Sequence, residues 1–183
     1  MEWLKMEWLK DDKNIKIIGG IHLGSSIIFS NYGNFIKKNG FDMIYIFLMI
    51  FMLLTWCCFN GECPLTLFLK MQKDNEYICG KNSDELYDIA LVVPSKITLF
   101  IILLIINIFY VMSEFIILKR NNYAKYIYYT LPLLHILYVI SVAGNSKLYK
   151  NENFLLLQEC LKFGFVILFV AIFSRFFIKK SDS

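Results

Sequence analysis

Arginine is nearly missing from this chain of 183 residues: Arg120 and Arg175 stand alone, and lysine supplies the rest of the basic charge. A formal net charge of +4, scattered along the chain, gives no concentrated basic face, which excludes nucleic acid as a partner. Histidine occurs only at positions 22 and 135, and proline only at positions 64, 94 and 132. The five cysteines, Cys57, Cys58, Cys63, Cys79 and Cys160, contain no C-x-x-C and no Cys/His spacing suited to zinc. There is no G-x-S-x-G, no H-E-x-x-H, no phosphate-binding glycine loop and no aspartate cluster for a metal–diphosphate site. The sequence therefore assigns no catalytic residue, no cofactor and no metal ligand, and a non-enzyme is the favoured expectation.

What the chain has in quantity is apolar surface. It is 57% hydrophobic and 17% aromatic, with a mean hydropathy of +0.54. Runs of about 20 apolar residues are what a helix needs to cross a bilayer. Five segments qualify or nearly do: 15–36, 41–59, 97–118, 126–144 and 154–178. The first is marginal, broken by serines and His22, although Gly20-x-x-x-Gly24 has the small-residue spacing that lets helices approach closely. The other four are firm. The expected architecture is an all-α, polytopic membrane helix bundle in one domain over residues 15–183. Residues 1–14, a tandem M-E-W-L-K repeat without the features of a secretory signal, read as an N-terminal tail.

Residues 60–93 form the only long polar stretch and read as a loop, with a short amphipathic helical turn near Leu65–Met71 and a turn at Gly80–Asp84. Trp56 suits a membrane–water boundary, and Asn60, Gly61 and Pro64 end the preceding helix. Cys63 and Cys79 are a candidate disulfide on an oxidising face and free thiols on a reducing one, the closure contributing on the order of 3 kcal/mol. Orientation depends on segment 15–36. If it stays out of the membrane, Lys37-Lys38, Lys119-Arg120-Lys125 and Arg175-Lys179-Lys180 share one face, cytosolic by the positive-inside rule; if it spans, the bias cancels.

Ionisable groups inside apolar helices are functional candidates, because each is costly unless paired or hydrated. Asn107, Tyr110 and Glu114 lie on one face of the third long segment, and Tyr128, Leu131, His135 and Tyr138 on one face of the fourth. As antiparallel neighbours these faces predict a polar seam of Asn107, Glu114, His135 and Tyr138, with Asn107 level with His135 and Glu114 level with Tyr128–Thr130. The seam serves either to fix helix register or to pass a proton or ion. Glu159 and Lys162, at i and i+3, are expected to pair at a solvated boundary. His22 and His135 together are a candidate axial pair for haem.

The stretch N-G-E-C-P-L-T carries a resemblance. Gly61, Cys63, Pro64, Leu65 and Thr66, with His22 in the preceding helix, resemble a bacterial integral membrane family of unknown function bearing C-P-L-T after its second helix. Tyr77 and Gly80 continue the pattern; the acidic residue that follows the motif in that family is replaced here by Leu67-Phe68-Leu69. The W…G-E-C segment is also similar to small polytopic proteins of giant DNA viruses and protists. The resemblance implies a spanning first helix and brings no activity. The leading expectation is a structural or accessory integral membrane protein, possessing the lipid bilayer, other membrane proteins or its own copies as partners and presenting residues 60–93 to them. A small transporter or channel subunit using the seam, and a haem- or thiol-dependent membrane enzyme working through Cys63, are the alternatives.

Overall fold

The computed structural model describes residues 7–81, 85–148 and 152–181, and among them all regular structure is helical. A short 3-10 turn at Glu7–Lys10 precedes α1 (Asp12–Ser30) and α2 (Tyr32–Phe35). Then follow α3 (Phe41–Cys58), α4 (Pro64–Lys73), α5 (Tyr87–Val92), α6 (Lys96–Arg120), α7 (Lys125–Leu148) and α8 (Glu152–Ser181). The all-α bundle read from apolar periodicity is the fold found. Among the described residues four helices are long and apolar enough to cross a membrane: α3, α6, and the stretches Lys125–Val142 of α7 and Leu155–Ser174 of α8.

Each of these helices is apolar on more than one side, and the bundle divides the faces. On α3, Tyr45, Ile46, Met49, Ile50 and Leu53 recur at helical spacing and are buried against α8 and its neighbours. Phe165, Leu168 and Ile172 of α8 and Leu131 and Tyr138 of α7 complete that core. The opposite side of α6 leaves Phe100, Ile101, Leu104, Ile105 and Ile108 uncovered, the pattern of a helix whose outer face meets lipid.

The marginal segment 15–36 becomes α1 and α2, which run beside α6 in the same direction. Close approach comes from glycines other than Gly20 and Gly24, both of which have open space where a side chain would begin. A Cβ on Gly19 would stand 2.1 Å from the Asp88 carbonyl oxygen, and one on Gly33 would stand 2.6 Å from Cα of Ser113. The Gly33 N–H donates to Ser113 Oγ at 3.1 Å, and that hydroxyl donates to the Ser30 carbonyl at 2.6 Å. The tail reading also changes: α1 already begins at Asp12, and Leu9 is buried against Ile15 and Leu69, because its apolar side chain finds the underside of α4.

One end of the bundle is clamped by Asp42 and Arg120. Arg120 Nε donates to Asp42 Oδ2 at 2.8 Å and Nη2 donates to Oδ1 at 2.5 Å, a two-point pairing, while Asn121 and Tyr32 also donate to the carboxylate. Asp42, at the edge of its helix in the sequence, is thus buried and fully engaged. Since α3 starts there, the segment after Cys58 emerges at the other end. Residues 60–93 are not a plain loop: α4 and α5 fold back against α1 and the 3-10 turn.

Candidate functional site

The chain reverses sharply after α3. Asn60 and Gly61 take positive φ of 51° and 87°, and the Gly61 N–H reaches back to the Trp56 carbonyl at 2.8 Å, closing the helix in the manner of a Schellman cap. Asn is among the few side chains that tolerate this conformation, and Gly adopts it freely. Pro64 then occupies the first position of α4, where its fixed φ and missing N–H cost nothing. The residue before a proline is held extended, and Cys63, at φ −63° and ψ 128°, is the N-cap of α4. Its carbonyl accepts the first helical bond, from Leu67 N–H at 2.8 Å. Its side chain faces the free N–H groups of the first turn, a position that favours a thiolate.

Opposite the thiol stands His22 of α1. Its Nε2 lies 3.6 Å from Cys63 Sγ. Its Nδ1–H donates to Asp88 Oδ2 at 2.7 Å, from the fully buried second position of α5. The other carboxylate oxygen, Oδ1, accepts from Thr66 Oγ1 at 2.7 Å. Thr66 is one turn into the helix that Cys63 caps, so the circuit Cys63, His22, Asp88, Thr66 returns to its own element. Gly19 lets the α5 backbone come close enough to α1 for the carboxylate to reach His22, one turn along the same helix. Glu62, adjacent to Cys63, is buried and accepts from Tyr77 and from Lys70, which pins the approach to α4.

Electrostatics follow the geometry. Burial alone would push the Cys63 thiol up; the hydrogen bond and charge of His22, with the N–H groups of Thr66 and Leu65, outweigh it and hold the thiol below its ordinary range. Burial likewise opposes ionisation of Asp88, and the bonds from His22 and Thr66 overcome it, so its carboxyl lies below the usual value. Nothing comparable acts on Cys79: burial is the main influence and its thiol is pushed up. Cys79 is hydrogen-bonded to the Phe59 carbonyl at 3.2 Å, and all five cysteines are free thiols. The candidate disulfide partners Cys63 and Cys79 each face another group in this structure, His22 and the Phe59 carbonyl.

Thus the structure brings together His22, Cys63 and Thr66, residues that the sequence links only through the resemblance, and adds Asp88. Of the predicted seam, it joins Glu114 and His135, whose Nδ1–H donates to Oε1 at 2.7 Å, and buries Tyr138 beside them. The expected depth match is corrected: Glu114 meets His135, not the level of Tyr128–Thr130. Side chains tilt toward the N-terminus of their own helix; in this antiparallel pair the two tilts converge and bring the carboxylate and imidazole together. Asn107 leaves the seam, donating to the Leu103 carbonyl of its own helix at 2.7 Å. Trp56 turns inward and stacks on Tyr138, with centroids 6.1 Å apart. Glu159 and Lys162 pair as expected, at 2.5 Å. The two histidines engage different carboxylates, so the imidazoles foreseen as a haem pair belong to separate clusters.

No signal in the sequence marks Asp88, an ordinary acid in a polar stretch, 66 residues from the histidine it binds. Compared with models of protein families, with curated proteins and with solved structures, the chain matches none.

Proposed function

We propose that this chain is a multi-pass membrane enzyme that moves acyl groups through a thioester on Cys63. The observation that carries the reading is the alignment of thiol, imidazole and carboxylate in one hydrogen-bonded series, with the nucleophile at a helix N-terminus. Such an arrangement, base beside nucleophile and a third group fixing the base, is the general signature of nucleophilic catalysis. A structural or accessory role accounts for the packing of the bundle and gives no use to this alignment. His22, Cys63, Pro64 and Thr66, which carry the resemblance to the bacterial membrane family, are also the residues the chemistry employs.

In the proposed cycle the Cys63 thiolate attacks the carbonyl carbon of an acyl ester or thioester. A carbon–sulfur bond forms, and His22 gives its Nε2 proton to the departing alkoxide or thiolate. The acyl acceptor, water or another hydroxyl or amine, then loses a proton to His22 as it attacks the thioester, and the thiolate is released. Asp88 keeps Nδ1 protonated and the ring turned toward sulfur throughout. A two-thiol redox cycle is disfavoured, since the other loop cysteine is held at Phe59. Ile21, next to His22 in sequence, and Leu65, two residues after Cys63, are exposed, which suits an acyl chain presented from lipid.

The test is turnover of a long-chain acyl thioester by the full chain in liposomes. The expected result is acyl transfer that falls by roughly 100-fold or more in Cys63→Ser and in His22→Ala, the size typical of losing a nucleophile or a general base. Equal rates for the wild type and Cys63→Ser overturn the proposal.

A further inference from the structure

The two short helices that position Cys63 and Asp88 also wall an open pocket of about 140 Å3, lined by Lys70, Lys73, Asp74, Tyr77, Glu85 and Tyr87. The sequence of α4 places it relative to the thiol. Cys63, Thr66, Lys70 and Lys73 follow an i, i+3, i+7, i+10 spacing and share one face of that helix. At 1.5 Å of rise per residue, Lys70 lies roughly 10 Å and Lys73 roughly 15 Å along the axis from Cys63. Both side chains lean back toward it, because side chains tilt toward the N-terminus of their helix. On α5, Tyr87 lines the pocket, and its neighbour Asp88 holds His22 and Thr66.

The lining carries both signs of charge in equal number: ammonium groups on Lys70 and Lys73, carboxylates on Asp74 and Glu85. Lys70 is only 7% exposed, yet its bonds to Glu62 Oε1 and the Tyr77 hydroxyl are long, 3.5 Å and 3.3 Å; charge-assisted bonds are usually about 2.7–2.9 Å. Lys73 Nζ donates to Asp12 Oδ1 at 2.8 Å. Each ammonium also lies over a tyrosine ring, 5.2 Å from the Tyr77 centroid and 4.8 Å from that of Tyr87. Asp74 Oδ1 accepts the Glu76 N–H at 3.0 Å, and Glu85 is exposed.

A ligand with one phosphate and one primary ammonium complements this lining. The phosphate gives Lys70 a closer acceptor and takes hydrogen bonds from the tyrosine hydroxyls. An ammonium with three N–H donors satisfies Asp74 and Glu85. A trimethylammonium has no N–H to give them, and both tyrosine rings are already engaged with lysine cations. A purely anionic head leaves the carboxylates unmatched. We infer that this pocket holds the phosphoethanolamine head of an aminophospholipid, and that this lipid is the acyl donor to Cys63.

The donor role rests on the thioester reading of Cys63. The ester carbonyls of a glycerophospholipid are a few bonds from its phosphate, so a head seated about two turns along α4 directs an ester toward the thiol. Leu65 and Met71 of α4 are exposed and offer apolar surface to the acyl chains. The Cys63 sulfur bonds to the acyl carbon, the ester carbon–oxygen bond breaks, and the lysophospholipid leaves as an alcohol with the Nε2 proton of His22.

The test begins with binding, in the full chain carrying Cys63→Ser so that no turnover intervenes. The protein is reconstituted with equal amounts of phosphatidylethanolamine, phosphatidylcholine and phosphatidylglycerol of distinct mass, and retained lipid is read by native mass spectrometry. Phosphatidylethanolamine is expected to be retained about tenfold over either competitor, the effect of one charge-assisted hydrogen bond. Asp74→Asn with Glu85→Gln, both at exposed positions, is expected to abolish that preference. Equal retention of the three lipids overturns the pocket assignment, and so does a preference that survives the double substitution. Displacement by soluble glycerophosphoethanolamine at the concentration of the lipid overturns the membrane as its source. With Cys63 intact, phosphatidylethanolamine is expected to leave an acyl adduct on the thiol. Lipid preference without an adduct refutes the thioester reading and supports the pocket; an adduct formed equally from all three lipids refutes the pocket alone.

Discussion

Replacing Gly19 by alanine is the sharpest perturbation of the Cys63 cluster, because it touches none of the reacting groups. A Cβ at this position would stand 2.1 Å from the Asp88 carbonyl oxygen and 2.5 Å from its carbon, against an ordinary contact of 3.4 Å or more. These are backbone atoms, so no side chain can swing aside; α5 must retreat from α1 by about 1 Å. The His22–Asp88 bond, 2.7 Å long, would then open to about 3.7 Å, beyond hydrogen-bond range. Overpacking costs ~1–3 kcal/mol, partly offset by the ~1 kcal/mol that alanine gains over glycine inside a helix. Gly20→Ala is the matched control: it gains the same helix preference and meets nothing within 4 Å. Denaturation in detergent and the rate of Cys63 alkylation near neutral pH, read by peptide mass spectrometry, report the two effects. Gly19→Ala is expected to lose both stability and Cys63 reactivity, and Gly20→Ala neither. If Gly19→Ala alkylates and unfolds like the wild type, the packing of α5 on α1 does not position Asp88 as argued.

Other outcomes follow from the same geometry. Asp88 has a folded-state pKa below its unfolded value, so its contribution to stability is fully present above the ordinary aspartate pKa, near 4. That contribution fades only as pH falls through the lowered folded value; Asp88→Asn should flatten the acid limb of a stability–pH curve, and an unchanged limb would contradict it. Arg120→Leu leaves the buried Asp42 carboxylate without its charged partner and should cost about 3–5 kcal/mol, measured as a lowered unfolding midpoint. Asn107→Leu should be nearly silent in the same assay, within about 0.5 kcal/mol, because Asn107 bonds only to its own helix. A large loss there would restore it to the seam.

Hydrophobic periodicity made the four long helices legible, since a run of about 20 apolar residues admits few other structures. It also brought Glu114 and His135 forward, because charge inside an apolar helix stands out. Their true pairing was not legible: depth counted along each axis omits the direction in which side chains tilt. Asp88 was hidden for a different reason. It sits on a six-residue helix, too short for a periodic signal, in a stretch where acids are unremarkable, and its partner comes from a distant element. The glycine spacing of Gly20 and Gly24 pointed to the right helix and the wrong face. Which glycine meets a neighbour depends on how α5 lies across α1, and only the fold supplies that.

The central claim is that His22 holds Cys63 as a thiolate, and the pH profile of Cys63 alkylation in the full chain tests it most directly. Burial is outweighed by His22 and the α4 N–H groups at Cys63, whereas at Cys79 it prevails; the two sites therefore serve as probe and internal reference. As pH falls from 9, Cys79 should slow about tenfold per unit, as an ordinary or raised thiol does. Cys63 should keep its rate until pH drops through its lowered value, and His22→Ala should return it to the steep profile. A Cys63 profile that follows Cys79 in the wild type would contradict the account.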